Sequence, residues 1–292
     1  MSRSWPKGEA DAECPDRCVS MTVLYDLLAA AAALLGGTLS AFLCEAFLER
    51  RETAVSPFCC LSCGRKRELW DRIPFLSCLL NGGKCRFCGA ALSLREPILS
   101  LSHMALWPLA LQLWLPSGVV QALLIMIGGS CLLCAAGMCW SGSKEGPGLL
   151  PVLLGADVLA AVPGVGVSVR AGLFGALGML SFCLLLRLLP VRLQGGERLR
   201  RDTVLYLTCA GFLMGWRSCF VLLPAAVLFA GIFALAGRKK QKSRSTGPET
   251  QYADPHKGRP SPGFCLTCGA VTALVFGRAL MDQYLGLFTR WG

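Results

Sequence analysis

The stretch CLSCGRKRELWDRIPFLSCLLNGGKCRFCG, residues 60–89, sets two Cys-x-x-Cys pairs around a charged segment. The chain surrounding it is apolar. Of 292 residues, 54% are hydrophobic and 16% charged, and the mean hydropathy is +0.54. Soluble domains carry about 25% charged residues. A water-soluble core cannot absorb this much Leu, Ala, Val and Gly, so the solvent for most of the chain is a bilayer. The net charge of +11 then marks loop orientation and lipid contact rather than nucleic acid.

A spanning helix needs about 20 mostly apolar residues. Candidate runs are Met21–Ala46, Pro97–Leu115, Val119–Cys139, Gly148–Val162, Ala171–Leu189, Thr203–Trp216, Cys219–Ala236 and Gly263–Phe288, the fourth and sixth being short. The expected fold is an all-α polytopic membrane protein of about eight transmembrane helices. Residues 1–20 form a polar N-terminal segment, 21–46 the first helix, 47–96 a cytoplasmic four-cysteine loop, and 97–292 the remaining transmembrane domain, with a polar connection at 238–262. The first apolar run is too long for the h-region of a cleavable signal peptide.

Basic residues gather in alternate loops. Arg50, Arg51, Arg65, Lys66 and Arg67 lie in the first, Arg198, Arg200 and Arg201 follow the fifth run, and Arg238, Lys239, Lys240 and Lys242 follow the seventh. The intervening loops hold Arg170 and Arg217 and little else. By the positive-inside rule both termini face outward and the Cys loop faces the cytoplasm, where thiols stay reduced. This places the chain in the plasma (inner) membrane as a multi-pass protein.

Cys60, Cys63, Cys85 and Cys88 have the spacing of two knuckles closing on one tetrahedral Zn²⁺. Gly64 and Gly89 each follow the second cysteine of a pair, where the backbone must reverse. Four thiolates leave no open coordination position, so such a zinc is structural. The alternatives are four reduced, idle thiols or two disulfides; Cys59 could replace Cys60 in register, and Cys78 lies in a more apolar segment. Cys131-x-x-Cys134 and Cys265-x-x-Cys268 share the spacing but sit in apolar runs, where thiols pack as small hydrophobes.

The loop resembles that of the prepilin peptidases (type IV leader peptidases). Cys60 to Cys63 is followed by Asp71-Arg-Ile-Pro-Phe-Leu-Ser, Gly83-Lys-Cys-Arg-Phe-Cys-Gly and Ala91-Leu-Ser-Leu-Arg-Glu-Pro. Further likenesses are Ser40-Ala-Phe-Leu-Cys, Gly211-Phe-Leu-Met-Gly-Trp, and Gly263-Phe-Cys-Leu-Thr-Cys-Gly-Ala through Phe276-Gly-Arg-Ala-Leu-Met-Asp-Gln-Tyr-Leu. The resemblance implies a membrane aspartic endopeptidase that removes the leader of pilin-like precursors at the cytoplasmic face. It also implies N-methylation of the new terminus, with S-adenosylmethionine as cofactor. Two carboxylates sharing a site would do the hydrolysis, one protonated as acid and one ionised as base.

The chain departs from that pattern where the chemistry should be. Gly137-Met-Cys-Trp-Ser-Gly-Ser-Lys-Glu-Gly-Pro, at the end of the third run, contains no Asp; its acid is Glu145. Asp157 lies deeper, in the fourth run. Asp202, in Leu-Arg-Arg-Asp-Thr-Val-Leu, stands at the edge where the resemblance expects the second aspartate, without the flanking glycines. It could instead cap a helix. Ser100 replaces an expected Glu and Cys44 an expected Asn. Asp202 and Glu145 are therefore the candidate catalytic residues, with Asp157 the alternative second acid. A catalytically inactive, zinc-containing binding or assembly protein is the alternative, and a transporter finds no inverted repeat to support it.

Overall fold

The computed structural model describes residues 27, 29–44, 46, 60, 63–66, 80–90, 95–141, 147–164, 167–188, 199–244 and 261–291. Their regular structure is helical, apart from isolated bridge positions at Lys66 and Lys84. The helices are α1 (Ala29–Cys44), α2 (Arg95–Trp114), α3 (Val119–Ser141), α4 (Leu150–Ala160), α5 (Val169–Leu188), α6 (Arg201–Arg244) and α7 (Pro262–Trp291). Five of them, α2, α3, α5, α6 and α7, are long and apolar enough to cross a membrane; α1 and α4 are shorter apolar helices.

Apolar residues surround each helix instead of forming one stripe, as expected of helices with lipid on one side and protein on the other. Burial sorts them into layers. The apolar window of α3 is 67% buried and that of α7 56%, against 22% for α5. α3 and α7 form the centre, and α5 lies on the lipid side.

Polar side chains inside the bundle find one another, since lipid offers no partner. Trp107 Nε1 donates to Ser130 Oγ at 3.1 Å, and Ser130 Oγ donates to Ser40 Oγ at 3.4 Å, which ties α2, α3 and α1 together. Trp114 Nε1 donates to the Val275 carbonyl at 3.1 Å, joining the end of α2 to α7. Arg278 reaches Ser117 Oγ at 3.0 Å in the same region. This end is called the far edge; the near edge carries the Cys loop, the end of α3 and the starts of α6 and α7.

α6 is continuous in hydrogen bonding but reverses direction at Gly215, whose φ of 69° and ψ of 166° are not helical. Contacts along α7 establish the reversal. A Cβ added to Gly263 would lie 3.5 Å from Thr203, one on Gly269 would lie 2.9 Å from the Leu222 carbonyl, and one on Gly277 would lie 2.6 Å from Ser218. The leg 201–214 thus climbs from the near edge and the leg from 216 onward descends. The sixth and seventh expected runs are the two legs of this hairpin, and the expected loop at Arg217 shrinks to a reversal at one glycine. Only Gly accepts that φ without strain.

The fourth expected run, Gly148–Val162, differs more. Its α-helix is confined to Leu150–Ala160, preceded by a 3-10 turn at Pro147–Leu149. At 1.5 Å per residue, eleven residues rise about 16 Å, roughly half a hydrocarbon core. Within the polar stretch 238–262, helix continues to Arg244, and residues 245–260 lie outside the described part.

Candidate functional site

The two cysteine knuckles have one backbone design used twice. Cys60 N–H donates to the Arg65 carbonyl at 2.9 Å and Gly64 N–H to the Cys60 carbonyl at 2.8 Å. In the second knuckle Cys85 N–H donates to the Ala90 carbonyl and Gly89 N–H to the Cys85 carbonyl, both at 2.8 Å. Gly64 and Gly89 each have φ of 69°, the left-handed conformation this reversal requires. Arg65 sits 5.1 Å from the ring centroid of Phe87, so the residues flanking one knuckle pack on the other.

The four sulfurs converge. Cys60, Cys63, Cys85 and Cys88 Sγ all lie within 4.8 Å of one another, and Cys60 Sγ and Cys88 Sγ are 3.7 Å apart. Tetrahedral Zn²⁺ with Zn–S bonds of about 2.3 Å would hold its sulfurs about 3.8 Å apart. The cluster fits that ion. Cys60 is buried while Cys63 and Cys88 are exposed. The Ala90 amide draws the Cys88 thiol down, but desolvation and its three cysteine neighbours outweigh it and push the thiol up to about 11. A metal entering the cluster must therefore displace protons. Among the described residues this is the one group of three or more His, Cys, Asp or Glu placed to hold a metal. Cys131, Cys134 and Cys265 are buried, in keeping with core packing. Cys59 and Cys78 lie outside the described residues.

The elements that should carry a catalytic pair do meet. The end of α3 and the start of α6 touch through Cys139 Sγ and Thr203 Oγ1, 3.8 Å apart. Ser261 Oγ donates to the Cys139 carbonyl at 3.1 Å and accepts from Phe264 N–H at 3.3 Å, capping α7 ahead of Pro262. Gly263 closes the junction, with room there for little more than a hydrogen: a Cβ would meet Cys139 Sγ at 3.3 Å.

Asp202 adjoins this junction, half-buried in the first turn of α6. It lies within the turn instead of at the cap, where an acid favours the positive end of the helix dipole. Glu145 lies outside the described residues, four positions beyond Ser141. Asp157 is elsewhere: its carboxylate lies beside Cys209, and its Oδ1 is buried without a hydrogen-bond partner. Cys209 is seven residues above Asp202 on the same leg, a rise of about 10 Å. Ser100 is buried at 1% exposure and Cys44 at 6%.

The model of the bacterial peptidase A24 N-terminal domain matches residues 30–114, from α1 through the Cys loop to the end of α2. Proteins described as "Prepilin leader peptidase/N-methyltransferase" from Burkholderia pseudomallei strains 1026b and K96243 are each 31% identical over 182 residues. The alignment covers 61% of this chain and 55% of each relative. The similarity is to the N-terminal part of the bacterial A24 peptidases and to these two prepilin leader peptidases over the aligned residues. It spans about half the length of the curated relatives it matches. No solved structure matches it. The matched residues include the whole knuckle loop, while Cys139 and Thr203 form the contact between α3 and α6. Sequence reasoning missed that contact and the Asp157–Cys209 pair. Neither had a local signal, because each joins helices far apart in the chain.

Proposed function

We propose that this chain is a member of the prepilin peptidase family, an inner-membrane endopeptidase that removes leaders from pilin-like precursors at the face bearing the Cys loop. The observation that carries the reading is the junction of α3 and α6 with Asp202 beside it, at the edge where the basic loops lie. Asp202, ionised, would activate the water, and Glu145, tethered a few residues from the end of α3, would supply the acid. The knuckle cluster would hold structural zinc and brace the loop through which a precursor approaches. N-methylation of the new terminus, with S-adenosylmethionine as donor, is proposed from the relatives' description.

A second reading is favoured by one specific contact. Cys139 and Thr203 put a thiol and a hydroxyl, and no carboxylate, where the two helices meet. A protein that binds precursors without cutting them needs no carboxylate pair there. Co-expression with pilin-like precursors separates the readings. Leader cleavage lost in Asp202→Ala and Glu145→Ala supports the peptidase; co-purification of uncut precursor supports the binder.

A further inference from the structure

A groove between α5 and the descending leg of α6 belongs to neither site above. Gly178 forms part of its floor, Phe174 and Phe182 one wall, and Trp216, Phe220 and Leu223 the other. The cavity is about 600 Å³ and almost wholly apolar. Phe174 is 66% exposed and Phe220 63%, so the walls stand open towards the membrane.

The far-edge mouth of the groove is cationic. Arg170 lies four residues before Phe174, on the same face of α5. The Arg217 guanidinium lies 5.6 Å from the Trp216 ring centroid. Among the described residues neither arginine is in an ion pair, and Asp282, the acid nearest this edge on α7, pairs with neither. In the sequence, Arg170 and Arg217 are the basic residues of two otherwise neutral loops. Each adjoins a lining residue of one groove, Arg170 one helical turn before Phe174 and Arg217 against Trp216.

We propose that the groove binds one acyl chain of an anionic glycerophospholipid, whose phosphate sits between Arg170 and Arg217. The charge selects the headgroup: two arginines at a membrane interface attract a phosphate that bears a net negative charge, and each contributes about fivefold in affinity. Trp216 suits the same depth, with its ring against the chain and its edge at the headgroups. This inference does not rest on proteolytic activity and stands whether or not the protein cuts precursors.

The test uses the full chain in phosphatidylcholine nanodiscs, titrated with brominated-chain phosphatidylglycerol or brominated-chain phosphatidylcholine. Quenching at Trp216 is read as the difference between the parent and Trp216→Phe. Saturable quenching by the anionic lipid at low fraction is expected, falling about twentyfold or more in apparent affinity in Arg170→Gln/Arg217→Gln. A Cβ at Gly178 would meet nothing within 4 Å, so Gly178→Phe projects a ring into the groove from an open position and should abolish saturable quenching. Far-ultraviolet circular dichroism of each variant checks that it is folded. Equal quenching by both lipids, or folded arginine variants that behave as the parent, would overturn the proposal. So would displacement of the quencher by a co-reconstituted precursor helix alone.

Discussion

Cys139 Sγ lies 3.8 Å from Thr203 Oγ1, joining the end of α3 to the start of α6 one residue from Asp202. The contact brings the ends of two helices together beside Asp202, the site at which the proposed peptidase reading puts hydrolysis. It contains no carboxylate, so in the proposed peptidase the acid–base work would fall to groups beside it. Asp202 is present in the first turn of α6, and Glu145 follows the end of α3.

If Asp202 and Glu145 act as base and acid, removing either should lower leader cleavage by about 10²–10⁴-fold. Asp202→Asn and Glu145→Gln keep the shape of each side chain and change only its proton chemistry. Asp157→Asn, two turns higher, should leave cleavage within a few-fold of the parent. The assay is the ratio of processed to unprocessed precursor in membranes containing each variant. Full processing by Asp202→Asn would end the catalytic assignment.

The knuckles make a separate prediction. Purified chain should carry one zinc, measured by elemental mass spectrometry, and Cys60→Ser, Cys63→Ser, Cys85→Ser or Cys88→Ser should each release it. Cys131→Ser and Cys265→Ser should not. Because binding expels thiol protons, apparent affinity should fall as pH falls, by about a decade per pH unit for each proton displaced. Competition with a colorimetric chelator across neutral pH reads the slope. A zinc content unchanged by all four serine variants would refute the assignment.

Close helix packing predicts a contrast between neighbouring glycines. A Cβ on Gly175 would overlap the Gly211 carbonyl oxygen, and one on Gly211 would come within 2.7 Å of the Gly175 carbonyl. Both obstacles are backbone, so Gly175→Ala and Gly211→Ala should each cost about 1–3 kcal/mol by forcing α5 from α6. Gly178→Ala, three residues on, meets open space and should be neutral or slightly stabilising. Thermal unfolding in detergent, followed by thiol-reactive dye at the buried cysteines, gives the comparison.

At Gly215 the backbone itself is the constraint. Its φ of 69° makes any side chain strained, and a Cβ there would sit 3.2 Å from Val167 Cγ1. Gly215→Ala should lose about 1–3 kcal/mol, and Gly215→Val more. Equal melting temperatures for the parent and Gly215→Ala would show that the reversal does not depend on glycine.

Much of this architecture could be read before any coordinates. The runs at Val119–Cys139 and Gly263–Phe288 coincide closely with α3 and α7, because bilayer thickness alone sets the length of a fully apolar helix. Separating Thr203–Trp216 from Cys219–Ala236 anticipated the hairpin, since a Gly-Trp-Arg break in an apolar run is a place to turn. Gly148–Val162 misled on length: Pro147 and the Pro163-Gly164 pair limit the helix, and hydropathy is insensitive to both. The knuckles were legible because each is closed by local hydrogen bonds. The partners of Cys139 and Asp157 were not, since they depend on how helices cross.

Two short elements lie side by side in the structure. α4 rises about 16 Å, and the climbing leg of α6 from Arg201 to Met214 about 21 Å; Asp157 and Cys209 join them. A lipid hydrocarbon core is about 30 Å thick. The bilayer must meet this flank with a hydrophobic mismatch, and the exposed backbone just beyond Ala160 needs water in place of lipid. Thinning of the bilayer at this flank would lie beyond Ala160, towards the far edge and away from Asp202 at the near edge.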